Sequence, residues 1–216
     1  MKVSTRIPSL DSLLEGGLEP GAVTLLYGAP ATGKTNLCLQ VARQVVRDGL
    51  KVAYVDTEGV SLDRLRQVAG EDHKAMMKSV LFSGPRNLKD QERLVDQATA
   101  IPDAGLIVVD SINFFYRLEL DEDPQAASRS MHAQLGRLST AARVGRVPAI
   151  VTAQVYDADE GVLPFGGRVM GHIVKTILEL QRDGSETGGR KAVLRKHRAI
   201  AEGGVARFRI TEKGLE

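Results

Sequence analysis

The residues best suited to phosphate chemistry lie in one stretch, residues 28 to 35, which reads GAPATGKT. It fits the pattern GxxxxGK[ST], follows the apolar run at residues 23 to 27 and opens a helical pattern. Gly28 and Gly33 permit backbone angles that let successive N–H groups point at a polyphosphate over the helix N-terminus. A Gly-rich turn that fits by chance is the alternative. We call this stretch the phosphate cradle.

The cradle predicts a site for a nucleoside triphosphate and Mg²⁺. Lys34 would place a positive charge near the β- and γ-phosphates, and the Thr35 hydroxyl would bind the metal. The predicted phosphate-binding residues are Gly28, Ala29, Pro30, Ala31, Thr32, Gly33, Lys34 and Thr35.

Two acidic residues follow buried strands of the predicted sheet. Asp110 ends the apolar run at residues 106 to 109, which is typical of a central parallel strand, and we expect it to hold Mg²⁺ through water. Glu58 follows the run at residues 52 to 55, and we interpret it as the general base that polarises the attacking water. As alternatives, Glu58 would cap a helix that begins near Ser61, and Asp110 would be a helix cap.

A glutamine ends the next predicted strand. Gln154 follows residues 147 to 151 and is placed to reach a γ-phosphate, and residues 155 to 167, predicted to be flexible, would report that contact elsewhere. The alternative is a strand-end amide bonded to backbone.

Residues 111 to 123 are predicted to form an exposed connection. The aromatic residues 114 to 116 could stack on bases, but the acidic run that ends at Asp123 would repel phosphates, so we expect the aromatics to pack under the next helix. Asp123 and Pro124 are predicted to begin that helix.

The remaining pattern predicts an α/β fold with a central, mostly parallel sheet flanked by helices. Antiparallel strands are expected to extend this sheet at the C-terminal end. Helices are predicted near residues 10 to 14, from the cradle to about 48, at 61 to 70 and at 87 to 101; further strands are predicted at 79 to 82, 173 to 181, 190 to 196 and 205 to 210.

Composition favours one soluble domain over residues 1 to 216. With 26% charged and 43% apolar residues, no bilayer-spanning run and no signal peptide, we expect a cytoplasmic protein without a membrane partner. The single cysteine, Cys38, is predicted to be a core residue, and it excludes an intramolecular disulfide. Residues 168 to 216 carry eleven Lys and Arg against six Asp and Glu, which suits either a nucleic acid or a solvated basic face.

The order of several blocks resembles the recombinase family of RecA-type ATPases. The blocks run nearly end to end: SLDSLLEGGLEPGAVTLLYGAPATGKT, VAYVDTEG, LIVVDS, TAQV, GGRVMGH and GGVARFRITEKGLE. The resemblance implies a RecA-type P-loop ATPase core that binds ATP at the boundary between protomers of a homo-oligomer. It also implies loops that meet DNA, single-stranded more than double-stranded, and an accessory role beside the main, RadA-like recombinase in homologous recombination and DNA repair.

The resemblance also assigns roles to particular residues. Glu58 is similar to the catalytic glutamate of the family, Asp110 to its magnesium aspartate and Gln154 to the glutamine that couples ATP to DNA. His172 is similar to a histidine that follows the second DNA loop. Together with Lys34 and Thr35, these residues imply weak, Mg²⁺-dependent hydrolysis of ATP.

The chain also departs from the family pattern. We expect neither the N-terminal helix-hairpin-helix domain nor the polymerisation segment of full recombinases, which makes filaments of their kind unexpected. The two DNA loops are poor in positive charge; their acidic residues include Asp123, Asp157, Asp159 and Glu160. Where larger recombinases cap a neighbour's ATP, we hypothesise that Lys196 or Arg198 reaches the γ-phosphate of a neighbouring protomer.

Two other functions stay open at this point. A KaiC-like signalling ATPase would share the segment before the cradle and the cradle itself, although the single glutamate of DTEG and the blocks GGRVMGH and RFRITEKG favour a recombinase. A nucleotide-gated binding module would bind ATP with almost no turnover.

Overall fold

The structure, a computed structural model, describes residues 1–159, 161–184 and 186–216. Glu160, counted above among the acidic residues of the second loop, lies outside the described residues. Helices α1 to α8 are Pro8–Leu13, Lys34–Arg47, Leu62–Ala69, His73–Ser79, Leu88–Thr99, Phe114–Leu120, Pro124–Gly145 and Gly167–Ile173. Strands β1 to β11 are Val23–Tyr27, Lys51–Asp56, Val80–Ser83, Ala104–Asp110, Ala149–Ala153, Val155–Ala158, Gly161–Pro164, Thr176–Arg182, Gly189–Lys196, Val205–Thr211 and Gly214–Leu215.

Nine of these strands form one sheet in the order β11-β10-β9-β8-β1-β5-β4-β2-β3. The pairs from β8 through β1, β5, β4 and β2 to β3 are parallel. The pairs among β8, β9, β10 and β11 are antiparallel. The predicted α/β class, with a mostly parallel sheet and antiparallel C-terminal strands, is therefore confirmed.

Helices cover both faces of the central sheet and enclose two apolar cores. On one face, α2 buries the stripe Leu37, Val41 and Val45 together with Cys38. On the other face, α7 buries Leu135 and Leu138 against β1, β4 and β5. Since both faces are covered, the central strands are apolar without alternation, and β1 is buried at every position. This two-sided packing fixes the strand ends that carry the candidate site.

Side-chain caps set the starts of several helices. Asp123 accepts hydrogen bonds from the backbone N–H groups of Gln125 at 3.0 Å and Ala126 at 2.8 Å, and Pro124 occupies the first turn of α7. Ser61 accepts from the N–H of Arg64 at 3.3 Å at the start of α3. These contacts satisfy N–H groups that have no partner inside the helix.

One prediction about an irregular segment is wrong. Phe114–Leu120, predicted to be an exposed connection, is the helix α6, because Tyr116 and Leu120 lie one turn apart and pack toward the same core. The predicted packing of the aromatics is correct for Tyr116, which is buried. Residues 155 to 167 contain the antiparallel β6–β7 hairpin, in which Tyr156 pairs with Leu163, and the start of α8.

The helix predicted at residues 61 to 70 is only the first part of a longer helical region. After α3 the chain makes the 3-10 turn Gly70–Asp72 and continues as α4, which the sequence analysis did not predict. Gly70 has a φ of 52° and ends α3. Met76 is the buried residue of α4, so its apolar signal was a single residue.

None of the helices within the described ranges is both long and apolar enough to cross a lipid bilayer.

Candidate functional site

The phosphate cradle lies between the end of β1 and the start of α2, as the sequence predicts. Gly28 has a φ of 151°, and a Cβ built there would lie 2.1 Å from the carbonyl oxygen of Leu180 on β8, so no side chain fits. Gly33 caps α2 with a φ of 103°. Thr32 closes the loop with a 2.8 Å hydrogen bond from its hydroxyl to the carbonyl of Ala29. The N–H groups at the start of α2 therefore face the loop.

Lys34 lies at the first turn of α2, and its ammonium group is turned back into the cradle. Its Nζ donates to the carbonyls of Gly28 at 2.7 Å and Ala29 at 3.2 Å. Burial lowers the pKa of Lys34, whereas the nearby carboxylates of Glu58 and Asp110 oppose that shift. The cradle thus holds a positive charge at the point where phosphate oxygens would enter.

Asp110 ends β4 in a buried position beside the cradle. Its Oδ2 accepts a 2.8 Å hydrogen bond from the Tyr54 hydroxyl, and its Oδ1 accepts one from the Thr152 hydroxyl. Burial raises the pKa of Asp110, and hydrogen bonds from Thr152, Thr35 and Tyr54 act in the opposite direction. These contacts fix the carboxylate next to the Thr35 hydroxyl, so the two predicted metal ligands are brought together.

Glu58 lies in the loop after β2 and faces the same site. Its Oε1 accepts from the Ser111 hydroxyl at 2.7 Å and from Gln154 Nε2 at 2.9 Å. The alternative role as a helix cap does not hold, because Ser61 itself caps α3. The Asp56 carboxylate accepts from the backbone N–H groups of this loop, including that of Val60 at 2.6 Å, and holds Glu58 in place.

The side chain of Gln154, just after β5, bridges two other side chains. Its Nε2 donates to Glu58, and its Oε1 accepts a hydrogen bond from Arg117. Backbone groups of Gln154 bond to Asn113 instead, at 2.8 Å through its N–H and 2.9 Å through its carbonyl. The alternative of a strand-end amide bonded to backbone therefore does not describe the side chain.

Arg117 on α6 is a site residue that the sequence analysis missed. Its guanidinium carbon lies 4.5 Å from the ring centroid of Phe165, and it lines the same cavity as Lys34 and Glu58. In the sequence it follows three aromatic residues and precedes an acidic run, which pointed to packing rather than to a site. Arg117 lies only seven residues after Asp110, and this short separation from the end of β4 could have indicated that it belongs to the site.

The five predicted site side chains and Arg117 line one cavity of about 380 Å³. The residues that line it are Gly28, Pro30, Ala31, Gly33, Lys34, Thr35, Asn36, Glu58, Asp110, Arg117, Gln154 and Val155. The strands β1, β2, β4 and β5 contribute at their carboxyl ends, which is where open α/β sheets bind ligands, and Val155 adds the first residue of β6. The structure thus brings together Lys34, Thr35, Glu58, Asp110 and Gln154, as the sequence analysis expected.

The residues present fit a magnesium nucleotide. Because a Cβ at position 28 would collide with the Leu180 carbonyl on β8, the cradle backbone can take this path only with glycine, and the ammonium of Lys34 suits an anion. The hydroxyl of Thr35 and the carboxylate of Asp110 are the oxygen donors that Mg²⁺ prefers when substrate phosphates and water complete its shell. Within the described ranges, no three His, Cys, Asp or Glu side chains converge to hold a metal without such a substrate.

Lys196 and Arg198, the two residues that we hypothesised to reach a neighbouring protomer, lie in different surroundings. Lys196 Nζ donates to the carbonyls of Gly171 at 2.6 Å and Val174 at 3.0 Å, at the end of α8 in its own chain. Arg198 donates to Glu19 at 2.9 Å, and its side chain is 51% exposed. Arg198 is therefore the better candidate for contact with a neighbouring protomer. His172 is exposed in the last turn of α8.

Comparison with known proteins decides the family. The model of the Rad51 family matches residues 1–216. The chain belongs to the Rad51 family. Its relatives include "DNA repair and recombination protein RadB" of Methanococcoides burtonii, 38% identical over 95% of this chain and 93% of that protein. The RadB protein of Thermoplasma acidophilum is 37% identical over 99% of this chain and 93% of its own length.

A solved structure agrees with the family assignment. The crystal structure of the RadB recombinase superposes with a TM-score of 0.85 at 39% identity, covering 99% of this chain and 98% of that one. The RecA-type fold expected from the resemblance is thereby confirmed. Membership of the Rad51 family favours the recombinase reading over a KaiC-like signalling ATPase.

Proposed function

We propose that this chain is an ATP- and DNA-binding recombinase paralogue that acts in homologous recombination and DNA repair. The observation that carries the proposal is the single cavity in which Lys34 and Thr35 of the cradle meet Glu58, Asp110 and Gln154. We take residues 1 to 216 as one ATPase core and the cytoplasm as its compartment. The RadB names of its relatives support the recombination role.

In the proposed reaction, the chain positions ATP for attack by water on the γ-phosphate, which breaks the bond to the β–γ bridging oxygen and releases ADP and phosphate. The cradle N–H groups and Lys34 bind the phosphates, and Glu58 accepts a proton from the attacking water. Gln154 and Ser111, which both donate to Glu58 Oε1, leave its second oxygen to face the cavity. Thr35 and Asp110 would hold Mg²⁺, which neutralises charge on the phosphate oxygens when bound.

We expect turnover to be weak, because the described site draws its cations from one chain. If a neighbouring protomer completes the site at a protomer boundary, Arg198 is the residue we expect to reach it. Release of phosphate from ATP, measured with and without single-stranded DNA, tests the reaction. Turnover that depends on Mg²⁺ and rises with DNA supports it; tight ATP binding without turnover under both conditions contradicts it.

That second outcome defines the other candidate function, a nucleotide-gated binding module. It has one observation in its favour: the acidic residues near the β6–β7 hairpin and α6, including Asp121, Asp123 and Asp157, reduce the positive charge available to DNA at the loops. A module of this kind would bind its protein partner differently with ADP and ATP while releasing almost no phosphate.

DNA binding is proposed to be modest and to prefer single strands. Several cations of the basic C-terminal segment already form ion pairs, among them Arg195 with Glu179 and Arg207 with Asp183. A DNA titration at several salt concentrations, with and without ATP, measures how many phosphates the protein neutralises. A slope near zero would exclude the C-terminal segment as the DNA contact.

The protein partner is proposed to be the main, RadA-like recombinase of the cell. Co-purification of that recombinase with the wild-type chain, repeated in ADP and in a non-hydrolysable ATP analogue, tests the partnership. If the recombinase co-purifies with the chain in neither nucleotide, the partnership is contradicted. We do not expect this chain to carry out strand exchange alone.

A further inference from the structure

Two cations from different elements line the cradle cavity, and their partners differ. Lys34 is engaged by two backbone carbonyls of the cradle. The described polar partner of Arg117 is the amide oxygen of Gln154, which is uncharged. Arg117 is exposed at this end of the sheet and belongs to α6, not to the cradle.

We propose that Arg117 binds the terminal phosphate of ATP in cis and, through its contact with Phe165, reports the presence of that phosphate to the β6–β7 hairpin. This proposal rests on the proposed function, because it needs a triphosphate in the cavity. It assigns a nucleotide-sensing role to a residue of α6, the helix that sequence reasoning took for a connection.

We expect Arg117 to leave the amide oxygen of Gln154 for the phosphate because a phosphate oxygen is the stronger acceptor. A phosphate oxygen that carries negative charge is a stronger acceptor for a guanidinium than a neutral amide oxygen, and the planar fork of arginine can donate two parallel bonds to it. Arg117 and Lys34 line one cavity of about 380 Å³, and the proposal places the terminal phosphate between them. ADP has no γ-phosphate and leaves Arg117 on Gln154.

The contact with Phe165 makes the exchange visible to the hairpin. Phe165 follows β7, its N–H donates to the carbonyl of Gln154 at 3.2 Å, and its ring lies 5.0 Å from that of Tyr156 on β6. Asn113 Nδ2 donates to both the Gln154 carbonyl at 2.9 Å and the Phe165 carbonyl at 3.1 Å. If the guanidinium leaves the Phe165 ring, the hairpin loses a cation–π contact while the backbone clamp by Asn113 remains.

The first test compares a non-hydrolysable ATP analogue with ADP by titration calorimetry. In the Arg117→Gln variant, we expect affinity for the analogue to fall about tenfold while affinity for ADP stays unchanged, because only the analogue offers a charged acceptor at the third phosphate. The matched control is Arg66→Gln, an arginine paired with Asp63 on the surface of α3. Equal loss of both affinities in Arg117→Gln would overturn the sensing role.

The second test follows hydrogen exchange of the hairpin amides at residues 155 to 158 and 161 to 163. In the wild-type chain, exchange is expected to differ between the analogue and ADP. In Phe165→Leu the difference is expected to vanish, whereas the ratio of the two affinities persists because Arg117 is still present. A Phe165→Leu variant that keeps the difference in exchange would overturn the reporting step.

Failure of the proposed function looks different from failure of this inference. If the wild-type chain binds neither nucleotide, the ATP site itself is wrong, and the inference is overturned with it. If the wild-type chain binds both nucleotides and Arg117→Gln keeps the wild-type ratio, the ATP site stands and the role of Arg117 is wrong. Circular dichroism of each variant confirms that it is folded.

Discussion

Gln154 donates a 2.9 Å hydrogen bond to the carboxylate of Glu58, so that the end of β5 is joined to the loop after β2 across β4. The carboxylate also accepts from Ser111, the residue that follows β4. Three neighbouring strands thereby fix one acidic group at the edge of the cradle cavity. Two donors hold this carboxylate in one orientation, as a general base requires.

Replacement of this carboxylate is the most direct test of its proposed role. In Glu58→Gln the amide oxygen still accepts from Ser111 and Gln154, but the side chain no longer takes a proton from water. We expect ATP to bind with unchanged affinity and the rate of hydrolysis to fall about 100-fold or more. Single-turnover release of phosphate, with ATP binding measured in parallel, checks the result; a rate within the error of wild type would exclude Glu58 as the base.

Removal of the cradle cation should abolish nucleotide binding while the fold is kept. For wild type at a nucleotide concentration about 100 times the dissociation constant, binding stabilises the folded state by about 2.7 kcal/mol, which raises the melting temperature by roughly 5 to 10 °C. In Lys34→Ala we expect no shift on addition of Mg²⁺ and ATP. Thermal unfolding followed by circular dichroism measures both proteins.

Lys213→Ala is the matched control for this experiment, because Lys213 is exposed near the C-terminus and does not line the cradle cavity. It should retain the full shift. A shift of wild-type size in Lys34→Ala would contradict the assignment of the cradle.

The sequence predicted the strand ends and most of the helices well, but it did not predict α4, α6 or the β6–β7 hairpin. Asp110 was placed correctly because four consecutive apolar residues before it indicate a strand buried on both faces, and such a strand lies in the centre of a parallel sheet. Gln154 and Glu58 were found for the same reason. The local sequence pattern was sufficient to predict a strand wherever the strand is buried on both faces of the sheet.

Helix α6 and the β6–β7 hairpin depend on long-range contacts that no local pattern records. Asn113 precedes α6, but its side chain does not cap the helix. It bonds instead to Gln154 and Phe165, which lie more than 40 residues away in the chain. The partner of Arg117 was equally hidden, because Gln154 lies 37 residues further along the chain, just after β5. Tertiary contacts override local propensity at such positions, and they coincide here with the candidate site.

The close approach of β8 to the cradle leads to a prediction about Gly28. In Gly28→Ala the new Cβ would lie 2.1 Å from the Leu180 carbonyl oxygen, and the residue would have to keep a φ of 151°. We expect the free energy of unfolding to fall by about 2 kcal/mol or more and nucleotide binding to be lost. Urea unfolding, with and without ATP, checks both effects.

Gly136 provides the opposite case within α7. A Cβ at Gly136 would meet no atom within 4 Å, and alanine is the better helix former. Gly136→Ala is therefore expected to raise the free energy of unfolding by about 0.5 to 1 kcal/mol and to leave nucleotide binding unchanged. If Gly28→Ala and Gly136→Ala lower the free energy of unfolding by similar amounts, the close contact between position 28 and the Leu180 carbonyl has no special role.

An ion-pair cluster that joins α2 to the 3-10 turn Gly70–Asp72 should contribute to stability in a pH-dependent way. The Asp72 carboxylate accepts from Arg43 Nε at 2.5 Å and from Arg47 Nε at 2.8 Å. The hydrogen bond from Arg43, aided by Arg47, holds the pKa of Asp72 below its usual value. The stabilisation is therefore complete above the unfolded pKa of about 3.9 and is lost as the pH falls through the lower pKa of the folded state.

In Asp72→Asn we expect the free energy of unfolding to fall by about 1 kcal/mol at neutral pH, since the group is only partly buried. At a pH below the unfolded pKa of about 3.9 the difference from wild type should be smaller, because the unfolded chain then binds a proton at Asp72 more readily than the folded one. Asp63→Asn is the control: its pair with Arg66 is exposed, with the Asp63 side chain 86% accessible, and should contribute almost nothing. Urea unfolding at the two pH values decides the matter, and a deficit that does not change with pH would exclude the ion pair as its cause.

Tyr27, the last residue of β1 before the cradle, should titrate abnormally late. Burial and the neighbouring Glu179 raise the pKa of Tyr27 to about 12. Its hydroxyl donates to Glu179 at 3.2 Å, and Arg195 pairs with the same carboxylate at 2.6 Å. An unfolded chain ionises this group at about pH 10, so the stabilisation is present below pH 10 and is lost as the pH rises toward 12, by up to about 3 kcal/mol.

The chain suits this measurement because it has four tyrosines and no tryptophan, so the ultraviolet absorbance of tyrosinate is not obscured. Burial also raises the pKa of Tyr54, so two of the four tyrosines should resist ionisation while the protein stays folded. In Tyr27→Phe the loss of unfolding free energy above pH 10 should be shallower than in wild type, because the group that ionises earlier in the unfolded chain is gone. Circular dichroism in the same samples shows whether the fold persists; full ionisation of all four tyrosines near pH 10 in a folded wild-type chain would refute the burial of Tyr27 against Glu179.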